Sequence, residues 1–315
     1  WALAIQQLSY QFTNVVANAF QVDWHPRLVF RVGRAKKLFS FGWKLLISGL
    51  LNSVSQSLSS LIIGKQFSGY QLGLVSQGEK YPAALGSMLD GVIQPVMLST
   101  IAKVQSDISY ARRIMRRALK TSTYLVFPVM GLFAIVAPTL VPLLLGDQWI
   151  ESVPFFQLFC IAYALLPVHT TNLQTLVGMG RSDLFLRLEM VKIVVNVACI
   201  LIAAFVFNDV YFLVGAYIVA AVISMFINAF PNKRVVGYSF GAQIRDIGPS
   251  FLLTLAACGA AQLVGLLSLT GFSLLVVQIL VFFVVYFGLS LLFRLEEFSY
   301  LVSEIGRKIP SCFSH

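Results

Sequence analysis

The stretch KTSTYLVFPVMGLFAIVAPTLVPLLLG, residues 120–146, decides the fold. After Lys120 it carries no charge until Asp147, and it is longer than the roughly 20 apolar residues needed to cross the hydrocarbon core of a bilayer. Immediately before it stands RRIMRRALK, residues 112–120, with five cations in nine positions. An apolar run flanked on one side by clustered Arg and Lys is the pattern of a transmembrane helix with a basic cytoplasmic collar.

The same pattern repeats along the chain. Nine candidate spans run at about 1–22, 41–64, 72–98, 120–146, 153–178, 185–208, 211–230, 248–268 and 271–293. The third is the most polar of them. Over the 315 residues, 58% are hydrophobic and only 11% charged, with mean hydropathy +0.82. A soluble domain carries about 25% charged residues, so lipid must solvate much of this chain. The expected fold class is all-α, a polytopic transmembrane bundle.

The loops alternate in charge. Basic ones follow spans one (Arg27, Arg31, Arg34, Lys36, Lys37), three (Lys103, Arg112–Lys120), five (Arg181), seven (Lys233, Arg234, Arg245) and nine (Arg294, Arg307, Lys308). Those after spans two, four, six and eight are poor in cations. The basic loops are expected in the cytoplasm, which puts the C-terminus inside and residue 1 outside. The net charge of +10 is thereby assigned to membrane topology rather than to nucleic-acid binding. The chain opens on Trp1 and enters an apolar segment with no basic n-region, so further spans are expected upstream. Asp107–Lys120 reads as an amphipathic helix able to lie on an anionic leaflet, and the tail after Arg294 as a second surface helix ending near Pro310.

Polar residues inside the spans are the candidates for function, because an ionisable group at bilayer depth costs about 2.5–3.5 kcal/mol on insertion scales. Span two carries Lys44, Ser48, Asn52, Ser55 and Ser59 within about 80° of one another, flanked by Gln56. Span three carries Ser76, Lys80, Ser87, Asp90 and Gln94 within about 80°. Helix packing would account for the serines but not for Lys80 and Asp90, so two polar stripes lining a pathway is the favoured reading. Glu79 adjoins Lys80 but points about 100° away. In span five Pro167 precedes His169, which reads as a packing residue or a proton shuttle. In span six Glu189, Lys192 and Asn196 at i, i+3 and i+7 read as a local ion pair near the cytoplasmic end. No HExxH, GxSxG or Walker pattern occurs, and the four cysteines lack metal-ligand spacing. A transporter without cofactor or metal is expected, not an enzyme.

Leu38–Lys44 (LFSFGWK), Leu61–Lys65 (LIIGK), Leu72-Gly73, Ile93–Val96 (IQPV), Leu145–Trp149 (LGDQW) and Gly178–Asp183 (GMGRSD) together resemble the polysaccharide-exporter branch of the multidrug/oligosaccharidyl-lipid/polysaccharide flippase superfamily, nearest the Wzx-type flippases. The likeness covers essentially the whole chain through the order of its motifs, none diagnostic alone. On that template residues 1–22 would be the last helix of an N-terminal lobe, 23–40 a cytoplasmic linker, 41–230 the second, six-helix lobe, and 231–315 two extra helices and a tail. The resemblance implies carriage of undecaprenyl-diphosphate-linked oligosaccharides across the bacterial plasma membrane by alternating access, with polymerase and chain-length machinery as partners. An ion-coupled drug or metabolite antiporter of the same superfamily is the alternative. It further implies that Lys44 and Lys80 meet diphosphate or acidic sugars, that Asn52, Gln56 and Gln94 bond sugar hydroxyls, and that Asp90 or Glu79 couples an ion.

Overall fold

The computed structural model describes residues 2–21, 32–207, 209–266 and 270–300. Among them there are helices and turns but no strand: α1 (Ala2–Gln21), α2 (Val32–Gln66), α3 (Gly69–Lys103), α4 (Ile108–Leu145), α5 (Val153–Ala164), α6 (Leu166–Gly178), α7 (Ser182–Ile202), α8 (Val210–Ala229), the single turn α9 (Asn232–Val235), α10 (Phe240–Val264) and α11 (Gly271–Leu292). The chain forms two compact units, Trp1–Ser40 and Phe41–His315. The first holds α1, whose Leu8, Phe12 and Phe20 are exposed.

Among the described residues, seven of the nine expected spans, those from α3 onward, are long and apolar enough to cross a membrane. Nine is therefore an approximate count. Segments one and two are also helical, α1 punctuated by Gln and Asn and α2 carrying a Lys/Ser/Asn stripe. The third segment, the most polar by eye, qualifies with the lowest value. Span five is not one helix. A 3-10 turn (Asp147–Ser152) leads into α5, which breaks at Leu165 before α6. The proline ring of Pro167 has no N–H to continue the ladder, and Leu165 closes on Ala162 O instead.

Basic and cation-poor loops gather at opposite ends of the larger unit. At one end Arg112 donates to Val236 O (2.9 Å), Arg116 pairs with Asp246 (2.7 Å), Lys120 meets Glu296 and Glu297 (2.8 and 2.7 Å), and Gln105 donates to Gly178 O. At the other, Gln66 donates to Ala204 O (2.8 Å) and the Tyr70 hydroxyl to Glu151 (3.1 Å). These contacts also correct one expectation. Residues 108–120 do not form a separate helix on the leaflet. They are the first turns of α4, a continuous helix of 38 residues, about 57 Å long. Ala111, Met115 and Leu119 are buried on Met97 and Ile101 of α3 and on Val236 and Tyr238. Asp107 caps the helix by accepting from Tyr110 N (2.9 Å) and Ser109 Oγ (2.7 Å), and these donors hold its carboxyl below the usual range. The tail helix begins at Glu296, and its expected end near Pro310 lies outside the described residues.

Close packing rests on small residues, as in other membrane bundles. A Cβ added at Gly78 of α3 would stand 2.7 Å from Phe155 Cβ and 2.9 Å from Phe156 N. On the far side of α4, Tyr124 packs on Tyr286 (5.2 Å between rings), donates to Ser290 Oγ (2.9 Å), and accepts the Tyr286 hydroxyl at its carbonyl (2.7 Å). That patch joins α10 and α11 to the bundle.

Candidate functional site

Helices α2, α3, α5, α6, α7 and α8 enclose a cavity of about 690 Å3 within the larger unit. Ligand cavities run from about 300 to 1,000 Å3. Its wall is polar for a membrane bundle, and the helical period explains how.

On α3, Glu79, Asp90 and Gln94 face the cavity. Asp90 and Gln94 lie about 20° and 60° around the axis from Glu79, so one narrow face carries all three over four turns. Lys80 is about 100° away and is exposed outside the cavity, 5.8 Å from the Tyr81 ring. Ser48 and Asn52, one turn apart on α2, line the opposite wall. Lys44 lies a turn further along, half-buried and not in the lining, while the Gln56 side chain lies outside the described residues. Of the seven residues singled out in the sequence, the fold thus brings Asn52, Glu79, Asp90 and Gln94 to one space. Lys44 and Lys80 do not join them.

The break between α5 and α6 supplies the partners of the α3 carboxylates. The Tyr163 hydroxyl donates to Glu79 (2.9 Å) and the Thr170 hydroxyl to Asp90. Neither carboxylate meets a basic side chain among the described residues. His169 lines the cavity, its Nδ1 3.0 Å from Asn228 Nδ2. Behind it, Asn172 and Gln243 exchange amide hydrogen bonds (2.9 and 3.0 Å) and Asn232 donates to Asn172 Oδ1 (2.9 Å). This amide cluster ties the lower end of α6 to α8, α9 and α10, and so fixes the helix that carries His169 and Thr170.

The α7 residues were legible but underrated. Glu189 and Lys192 do form the expected i, i+3 pair (2.5 Å), yet with Asn196 they line the cavity rather than a loop. Gln174 belongs to the polar run that follows Pro167 in the sequence, whereas Tyr163 and Tyr217 were not foreseen at all. The polar i, i+3, i+7 spacing on an otherwise apolar helix was the available signal for α7. Nothing in the sequence points to Tyr163 or Tyr217, which are amphipathic aromatics of ordinary spacing. Among the described residues no cluster of His, Cys, Asp and Glu could hold a metal ion.

Residues 1–154 match the family model described as "Polysaccharide biosynthesis protein". The chain is 23% identical over 237 residues to the Teichuronic acid biosynthesis protein TuaB of Bacillus subtilis (strain 168), covering 75% of this chain and 49% of that protein. It is 23% identical over 273 residues to the Lipopolysaccharide biosynthesis protein WzxC of Escherichia coli (strain K12), covering 84% and 55%. An uncharacterized membrane protein in the cps region of Klebsiella pneumoniae is 24% identical over 220 residues, covering 70% and 45%. The chain spans about half the length of these curated relatives. Among solved structures, the Lipid II flippase MurJ in an inward closed conformation superposes with a TM-score of 0.67 at 12% identity, covering 85% of this chain and 57% of that one, which shows a shared fold. Together these matches make the chain similar to polysaccharide biosynthesis proteins and give it a fold shared with a lipid flippase.

Proposed function

We propose that this protein is a flippase, not an enzyme, and that it carries undecaprenyl-diphosphate-linked oligosaccharide repeat units from the cytoplasmic to the outer leaflet for surface polysaccharide biosynthesis. The observation that carries this reading is the polar cavity among membrane-crossing helices, walled by Asn52, Glu79, Asp90, Gln94 and the α7 residues. Polar side chains at bilayer depth persist where they face water or a polar cargo, and sugars are hydroxyl-rich cargo. Alternating access between two helical lobes would expose the cavity to each leaflet in turn. In this reading residues 41–230 form the second lobe, 231–315 add two helices and a tail, and 1–22 with the linker 23–40 belong to the first lobe.

The basic loops face the cytoplasm of the plasma membrane, and the C-terminus with them. Asn52 and Gln94 bond sugar hydroxyls. Glu79 or Asp90 couples an ion. Lys44 and Lys80 meet acidic groups only if they enter the pathway during the transport cycle. Polymerase and chain-length machinery are the expected partners downstream. Deleting the gene in its host should cause sugar-loaded undecaprenyl diphosphate to accumulate while surface polysaccharide is lost. Re-expression of the wild type should reverse both effects, whereas a Glu79→Gln, Asp90→Asn double variant, present at equal level, should reverse neither. Surface polysaccharide persisting with no accumulation would overturn the proposal in favour of a drug or metabolite antiporter.

A further inference from the structure

The charges on the cavity wall are one-sided. Three carboxylates line it, Glu79, Asp90 and Glu189, against one ammonium, Lys192, which Glu189 already holds. The other cations near these helices are not in its lining, Lys44 standing one turn beyond Ser48 on α2. Lys80 lies outside the cavity, and Arg112, Arg116 and Lys120 are committed to Val236 O, Asp246, Glu296 and Glu297 at one end of the bundle. Glu79 and Asp90 each have a hydroxyl donor and spare acceptor capacity.

A second observation points to a ligand. Gln174 lines the same cavity and is 7% exposed, yet its amide has no hydrogen-bond partner among the described residues. Asn196, also in the lining, has a buried Oδ1 with none. Buried amides are nearly always satisfied, because an unpaired one forfeits about 1–3 kcal/mol. The Gln174 amide takes partners that both donate and accept, as water and sugar hydroxyls do, whereas Asn196 Oδ1 needs only a donor.

We propose, on the flippase reading above, that the cavity wall built by this chain grips an uncharged, hydroxyl-rich glycan and discriminates against a glycan bearing a carboxylate. A hydroxyl can donate to Glu79 or Asp90 and exchange bonds with the Gln174 amide. A sugar carboxylate has no proton to give, meets like charge across the cavity, and finds no free ammonium or guanidinium on this wall of the kind that binds carboxylates elsewhere. Tyr163 and Tyr217 offer aromatic faces to the apolar sides of the rings. The diphosphate is then held by groups outside this wall.

The test uses the full-length gene product in detergent and two synthetic short-chain polyprenyl-diphosphate trisaccharides, identical except that one carries a hexose where the other carries a hexuronate. Binding is read by native mass spectrometry, with the sugar-free polyprenyl diphosphate as reference. The neutral glycolipid should bind at least about tenfold more tightly than the acidic one, a difference of about 1.4 kcal/mol. The Glu79→Gln, Asp90→Asn variant should shrink that ratio to about twofold. Gln174→Leu, folded by its thermal transition, should weaken neutral-glycan binding at least about threefold and leave sugar-free lipid binding unchanged. Equal or tighter binding of the acidic glycolipid would overturn the inference while leaving the flippase reading intact. Failure of both glycolipids to bind above the sugar-free lipid would overturn the flippase reading and the inference with it.

Discussion

Replacing Glu189 by Gln strands a cation inside the bundle. The Glu189 side chain is 7% exposed and its partner Lys192 15%, at 2.5 Å. Removing one partner of a buried ion pair costs about 3–5 kcal/mol, because the remaining charge loses its compensation without regaining water. Lys192 borders a cavity that water can enter, so the lower end applies, about 3 kcal/mol. At about 2–4 °C per kcal/mol for a chain of this order, the thermal transition should fall by at least about 6 °C. The assay is thermal unfolding of the purified protein in detergent, followed by size-exclusion retention of the folded peak. Lys192→Met alone should cost a similar amount, leaving Glu189 as the orphan. The double variant Glu189→Gln, Lys192→Met should recover most of the loss, since an uncharged pair of similar volume carries no desolvation penalty. Single variants as stable as the wild type, or a double variant no better than either single, would refute the reasoning.

Other parts of the fold are open to the same kind of test. Gly78→Ala would drive a methyl to 2.7 Å from Phe155 Cβ and 2.9 Å from a backbone nitrogen, so α3 and α5 must separate, at a cost of about 1–3 kcal/mol in the same melting assay. Asp246→Asn removes the bidentate partner of Arg116, but the arginine is 55% exposed, so no more than about 1 kcal/mol should be lost. Asp107 is a cap whose carboxyl lies below its ordinary value in the folded state. Its stabilisation is present above the unfolded carboxylate range and lost as pH falls through the lowered folded value. The stability gap between wild type and Asp107→Ala, measured by melting across acidic pH, should therefore close as the solution is acidified.

Much of the bundle was legible because lipid imposes a length and an apolar threshold on each span, and because basic loops alternate with poor ones. The polar face of α3 was equally readable from the 3.6-residue period, and Asp90 and Gln94 sit where that period puts them. Two kinds of information were not. Periodicity gives the angle of a residue on its own helix but not which neighbour that angle meets. Thus Lys80, grouped with Asp90 on a wheel, falls on the outside, while Glu79 faces the cavity. Nor does it show that a proline break will swing Tyr163 and Thr170 onto the α3 carboxylates, because that depends on how α5 and α6 pack. The amphipathic reading of residues 108–120 found the correct apolar face, but the protein, not the leaflet, covers it: Met97, Ile101 and Val236 receive it.

The most direct test of the account is transbilayer movement itself. The full-length protein would be reconstituted in liposomes with a fluorescent polyprenyl-diphosphate oligosaccharide in both leaflets, and outer-leaflet fluorescence quenched by membrane-impermeant dithionite. Flipping exposes the inner pool, so the account predicts quenching well beyond half of the signal with wild-type protein. Protein-free liposomes and the Glu79→Gln, Asp90→Asn variant should stop near half. Quenching that halts near half with folded wild-type protein, with and without an imposed ion gradient, would contradict the claim that this cavity is a path for lipid-linked sugar.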